Sequence, residues 1–139
     1  MASESANPST GRGRVIGIGG VFFKSDNPGA LTDWYCKHLG FKPDQHSGVN
    51  FPWRTADNDA SQRTVWAIFP SDTKYFEPTE SQHLINYIVD DLDALLDRLR
   101  AEGVQIHPQQ QTDAAGRFAW IFDADGNKVE LWEPAKLES

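Results

Sequence analysis

Few side chains in this sequence are grouped at spacings that chemistry requires. The four histidines, His38, His46, His83 and His107, include no pair at a helix or hairpin ligand spacing. Cys36 is the sole cysteine, so an intramolecular disulfide is impossible. It also lies off the apolar stripe of its predicted helix without an activating partner, which argues against a thiolate nucleophile. Gly17–Gly20 (GIGG) lacks the G-x-G-x-x-G spacing of a dinucleotide site, and neither a G-x-S-x-G elbow nor a P-loop occurs. Asp123, Asp125, Gly126 and Asn127 form a turn signal rather than a catalytic cluster. What remains is a carboxylate set among aromatics, Glu130 in VELW, whose burial as an ion requires compensation.

The bulk composition narrows the partners. A chain of 139 residues with 39% hydrophobic and 24% charged residues is that of a single globular domain able to bury one core. A net charge of −7 without clustered Lys and Arg excludes phosphate-backbone binding, so no nucleic-acid partner is expected. No apolar run approaches the ~20 residues that span a bilayer, so no membrane partner is expected either. Residues 1–14 lack an apolar signal segment and read as a disordered tail. With one cysteine, the expected location is cytoplasmic.

The elements that must position any site come in two sets. Displaced so that Asp26 falls on Asp90, the chain aligns with itself. Leu31 then meets Leu95, Asp33 meets Asp97, Gln45 meets Gln109, Asp59 meets Asp123, Val65 meets Val129 and Pro70 meets Pro134. In the first half, Val15–Lys24 reads as a strand and Asn27-Pro28 as a helix start. Leu31, Trp34, Tyr35, His38 and Leu39 recur at helical spacing up to Gly40. Strand patterns follow in Phe41–Trp53 and Arg63–Phe69, separated by a polar loop over Thr55–Gln62. In the second half, His83–Val89 is a strand and Asp90/Asp91 cap a helix carrying Leu92, Leu95, Leu96 and Leu99, ended by Gly103. A Gln-rich connection then leads to Gly116–Phe122 and Lys128–Trp132, which flank a hairpin turn. The expectation is an α+β fold of two tandem β-α-β-β-β modules, about 15–77 and 82–134, within one domain spanning 15–139.

Three segments, Gly17–Phe41, Asn86–Val104 and Gly116–Pro134, resemble the vicinal oxygen chelate superfamily of glyoxalases, bleomycin-resistance proteins and extradiol dioxygenases. The resemblance implies curved, mostly antiparallel sheets enclosing a cleft, and commonly a homodimer. It also implies four positions for divalent-metal ligands, which fall here at Gly20, Trp66, Leu84 and Glu130. A catalytic metal needs about three ligands drawn from histidines and carboxylates. Only Glu130 qualifies, so no cofactor is expected, a divalent Zn, Ni, Mn or Fe ion being the alternative. His83 sits beside position 84, but alternation points it to the opposite face unless a bulge shifts the register.

If position 20 faces inward, Phe22 and Lys24 do too, with Trp66 and Ile68, Asn86 and Ile88, and Lys128, Glu130 and Trp132. Phe22, Lys24, Trp66, Asn86, Glu130 and Trp132 are therefore the expected ligand-binding residues, an apolar pocket with a few polar anchors. Packing between the sheets is an equal rationale for Phe22 and Trp66. Arg117 and Trp120 reach the rim if their register allows. The expected function is metal-free binding of a small organic molecule between the modules. The alternative is a lyase, isomerase or dioxygenase-type enzyme, with Glu130 as acid/base or with metal ligands in a different register.

Overall fold

The computed structural model describes residues 13–44, 48–53 and 62–135. Residues 1–12 of the expected N-terminal tail, His46, Gln45, Asp59 and most of the loop after Trp53 lie outside the described residues, whereas Arg14 of that expected tail donates its N–H to Asp90 Oδ1 at 2.9 Å.

The strands are β1 (Val15–Ser25), β2 (Val49–Pro52), β3 (Arg63–Pro70), β4 (His83–Val89), β5 (Ile106–Asp113), β6 (Gly116–Phe122) and β7 (Lys128–Pro134). The helices are α1 (Pro28–Leu39) and α2 (Leu92–Ala101). All seven strands join one sheet in the order β2-β3-β1-β4-β7-β6-β5, so the halves meet edge to edge through β1 and β4. The fold is the expected mixed α+β arrangement. The second half is a full β-α-β-β-β unit, and its Gln-rich connection is itself strand β5. In the first half residues 41–44 form no strand, leaving β-α-β-β among the described residues.

Local sequence explains the helix boundaries. Asn27 caps α1 through its side chain, which accepts from the Ala30 N–H at 3.2 Å, and Pro28 occupies the first turn. Gly40 ends the helix in the left-handed region at φ 75°, where a side chain is disfavoured. Asp91 caps α2 in the same manner, at 3.1 Å to the Ala94 N–H.

The halves are related by a local two-fold. Val21 pairs with Ile85, its own equivalent in the self-alignment, and Gly20↔Asn86 and Phe22↔Leu84 are reciprocal pairs around it. The flanking strands depart from that alignment. Val21 pairs with Trp66 while Ile85 pairs with Val129, so the structural counterpart of Trp66 is Val129 rather than Glu130. A slip by a single position exchanges the faces of a strand. Ala67, not Trp66, is therefore the counterpart of Glu130.

Both helices cover the same face. Under α2, Val89, Leu92, Leu95, Leu96, Ala119 and Leu131 form the core cluster. Under α1, Tyr35 packs on Phe23 and Trp66, with ring centroids 6.2 and 4.8 Å away. Contrary to the expected core-facing stripe, α1 buries none of its residues, and His38 is exposed beside Trp34.

Candidate functional site

The face away from the helices carries the side chains of interest. Pairing across β1, β3, β4 and β7 sets Gly20, Phe22 and Lys24 beside Val65, Ala67 and Phe69 on one side, and Leu84 and Asn86 beside Glu130 on the other. Phe22, Lys24, Asn86, Glu130 and Trp132 thus occupy the inner face. Trp66 differs from the expectation: it is buried on the helix face, boxed by Phe23, Tyr35 and Phe41. Ile68 shares that face and lines a hollow beside α1. The physical reason is the slip between β3 and β7, which displacement of the sequence alone does not register. His83 pairs with Phe23 and lies 6.0 Å from its ring, so it faces the helix side, as alternation implies.

Glu130 is only 2% exposed, and three donors converge on its carboxylate. Oε1 accepts from Asn86 Nδ2 at 2.6 Å, and Oε2 accepts from Trp120 Nε1 at 2.9 Å and from the Tyr75 hydroxyl. A buried carboxylate requires such hydrogen bonds, and here none of the three partners is charged. Lys24, on the same inner face, lies over the Phe76 ring at 5.2 Å. Lys128 donates to the Tyr75 carbonyl at 2.8 Å and lies over the rings of Tyr75 and Trp120. Burial pushes the Lys128 ammonium below the usual lysine range. Burial, reinforced by the Glu130 charge, pushes the Tyr75 hydroxyl well above the usual tyrosine range and keeps it a donor.

Tyr75 comes from the connection between the halves, residues 71–82, which folds into the bowl of the second half. Phe76 is fully buried there against Phe69, and Tyr75 stacks on Phe69 with centroids 5.6 Å apart. Sequence reasoning missed Tyr75 because it lies outside every periodic element. The Trp120 facing left open by the sequence is settled by its pairing with Glu130. Arg117 precedes Phe118, which stacks on Trp132, and so points to the other face. There it binds Asp93 of α2 through two N–H donors at 2.7 and 3.0 Å, away from the cleft rim.

Among the described residues the bowl of the first half is open. A cleft of about 440 Å³ is lined by Asn50, Arg63, Val65, Ala67 and Phe69, with Asp44 and Gly48 at its rim. Arg63 reaches across to the second half, its guanidinium 4.9 Å from the Trp132 ring. Arg63 and Asn50 were also missed: alternation set from Trp66 puts β3 in the opposite facing, and Asn50 lies in a strand of four residues.

These side chains do not fit a divalent metal. The four equivalent positions are Gly20, Ala67, Leu84 and Glu130, of which only Glu130 can coordinate. Both its oxygens already face N–H and O–H donors. A side chain at Gly20 would run into the Phe22 ring, 2.6 Å from the added Cβ, and one at Gly19 into Asn86 Oδ1. Among the described residues no three His, Cys, Asp or Glu side chains converge.

A fold of two such half-units joined across β1 and β4, with a bowl on the inner face, defines a class. The profile of the Glyoxalase/Bleomycin resistance protein/Dioxygenase superfamily matches residues 18–131, and the chain belongs to that family. Among solved structures it is similar to methylmalonyl-CoA epimerase from Mycobacterium tuberculosis, at 22% identity and a TM-score of 0.60, covering 87% of this chain and 89% of that one. A methylmalonyl-CoA epimerase in complex with methylmalonyl-CoA and NH4+ gives 17% identity and a TM-score of 0.67, covering 91% and 99%. A superfamily member from Vibrio splendidus 12B01 gives 11% and 0.53, covering 84% and 97%. At these identities the likeness concerns the fold. No curated protein matches the chain.

Proposed function

We propose that this protein binds a small organic molecule without a metal, in the inner-face cleft of its first half. The observation that carries the reading is the unequal use of the two bowls. Around Glu130 the space is taken by Tyr75, Trp120, Asn86 and Phe76, whereas Val65, Ala67 and Phe69 line an open cleft with polar groups at one end. A concave apolar surface with a few placed polar side chains is the usual make-up of a ligand site. Of the expected ligand-binding residues, Trp132 contributes by supporting Arg63, and Phe22 by pairing beside Ala67. Asn86 and Glu130 serve the site indirectly, by holding Tyr75 in the neighbouring bowl. Lys24 and Trp66 support the frame.

The enzymatic alternative, with Glu130 as acid/base, has less support. A general base needs access to the proton it removes, and Glu130 is buried with Oε2 accepting twice. A homodimer and a cytoplasmic location complete the proposal. Trp34 and Leu39 on α1 are 51% and 57% exposed, large apolar side chains available for self-association. None of the helices among the described residues is long and apolar enough to cross a membrane.

The test is elemental analysis of the purified protein before and after incubation with Ni, Zn, Mn and Fe(II), followed by calorimetric titration with small aromatic probes. Expected are no stoichiometric metal and saturable probe binding that Ala67→Leu abolishes. A stoichiometric, EDTA-sensitive metal overturns the metal-free reading, and binding unaffected by Ala67→Leu moves the ligand elsewhere.

A further inference from the structure

Resting on the cleft just described, we propose that its ligand is uncharged, a flat apolar molecule bearing a neutral hydrogen-bonding group rather than a carboxylate or an ammonium. The charges at the cleft are already matched within the chain. Arg63 Nε donates to Asn50 Oδ1 at 3.1 Å, and Asn50 Nδ2 donates to Asp44 Oδ2 at 2.6 Å. One guanidinium and one carboxylate are thus tied to the same amide, and their charges cancel. The Trp132 ring, 4.9 Å away, covers the Arg63 guanidinium from the second half. An ionised ligand entering here gives up water without gaining a counter-ion, which costs more than seating a neutral one. The net charge of −7 adds a field that opposes anions. Screening over about 8 Å at physiological salt leaves that field too weak to retain a cation without a partner in the cleft.

The rest of the cleft selects the body of the ligand. Val65, Ala67 and Phe69 form an apolar floor along β3. Phe69 is fixed by three rings: it stacks on Tyr75 with centroids 5.6 Å apart, and it meets Phe22 and Phe76 edgewise at 5.6 and 5.4 Å. A wall held in this way favours a rigid planar body, because little freedom is lost on either side when the two meet. At the polar end, Asn50 spends one N–H and one lone pair on the relay between Arg63 and Asp44, and a side-chain amide has another of each. A donor and an acceptor side by side suit a neutral amide or hydroxyl.

The experiment titrates the full chain at neutral pH with two matched pairs of probes, benzamide against benzoate and benzyl alcohol against benzylammonium, by calorimetry and by amide ¹⁵N–¹H chemical shifts. Each neutral probe is expected to saturate, to move the Val65 and Ala67 amides, and to bind at least about tenfold more tightly than its ionised counterpart. In Ala67→Leu those shifts are expected to vanish, with preserved shift dispersion elsewhere showing the fold intact. Benzoate or benzylammonium binding as tightly as its neutral counterpart at these amides overturns the uncharged assignment while leaving the cleft standing. Saturation that moves other amides instead, or that survives Ala67→Leu, overturns both readings. No saturation by any of the probes does the same.

Discussion

The two halves share a strand frame and differ in what fills it. In the second half the inner face is closed: Trp120, Phe122, Glu130 and Trp132 are buried, and Tyr75 lies against Glu130 and Trp120. In the first half the corresponding strand offers Val65, Ala67 and Phe69 to an open cleft. The helix face shows the same asymmetry, since α2 buries Leu92, Leu95 and Leu96 whereas α1 buries none of its residues. The second half therefore holds the larger share of the stabilising burial, and the first half is left with apolar surface exposed on α1 and along its cleft. A duplicated frame does not impose duplicated roles.

The largest effects should come from the closed half. Glu130→Ala strands three donors, each costing about 1–3 kcal/mol when left unpaired, so a loss of at least about 3 kcal/mol is expected in urea unfolding. A loss below about 1 kcal/mol would show that water replaces the carboxylate freely, and the contrast between the bowls would weaken. In the helices, Leu96→Ala in α2 should cost about 2–5 kcal/mol, because it opens a cavity under a helix that is anchored there. Leu39→Ala in α1, at 57% exposure, should stay within about 0.5 kcal/mol at low protein concentration. Equal losses at the two leucines would break the comparison.

Tyr75→Phe gives a smaller and more diagnostic change. It removes one hydroxyl from the Glu130 carboxylate, for a loss of about 1–2 kcal/mol near neutral pH. The pH dependence has a definite sign. The Tyr75 hydroxyl titrates higher in the folded chain than in the unfolded one, chiefly through burial and then through the Glu130 charge. Its contribution is thus fully present below the ordinary tyrosine range near pH ~10 and is lost as pH rises above it. Unfolding curves of the wild type should fall off above that pH more steeply than those of Tyr75→Phe. Parallel alkaline limbs would place the hydroxyl in water rather than on Glu130.

The fold is legible in the sequence because it rests on local signals. The Asn27 and Asp91 caps, the Gly40 and Gly103 stops and the leucine period of α2 each act over a short stretch of chain, and each is found where those residues lie. The inner face of β4 and β7 is legible for a similar reason, since strict alternation carries Asn86 and Glu130 to the same side. The site is less legible because it depends on relations between strands. The self-alignment of the sequence holds across β1 and β4 but slips by a single position between β3 and β7, which exchanges Trp66 for Ala67 as the counterpart of Glu130. Tyr75 belongs to a connection with no period. Arg63 gains its meaning from Trp132, at the far end of the chain, which only the folded sheet brings beneath it.

Ala67→Leu isolates the open bowl with the least disturbance to stability. Ala67 pairs with Phe22 on the inner face and lines the cleft, so a larger side chain extends into open space instead of into a packed core. Overpacking costs about 1–3 kcal/mol where the neighbours cannot yield, but here the added methyl groups meet a cleft of about 440 Å³. The expected change is below about 0.5 kcal/mol, or a slight gain from the extra apolar area covered. Ligand binding should nonetheless be lost, because the apolar floor beside Arg63 is raised by the volume of the new side chain. The same kind of change at Leu131, which lies in the α2 core cluster, has no such room: Leu131→Phe should destabilise by about 1–3 kcal/mol. Thermal unfolding and probe titration of the two variants, side by side, separate the roles of the halves. A destabilised Ala67→Leu that still binds would reverse the assignment, making the first bowl a packed core and placing the ligand elsewhere.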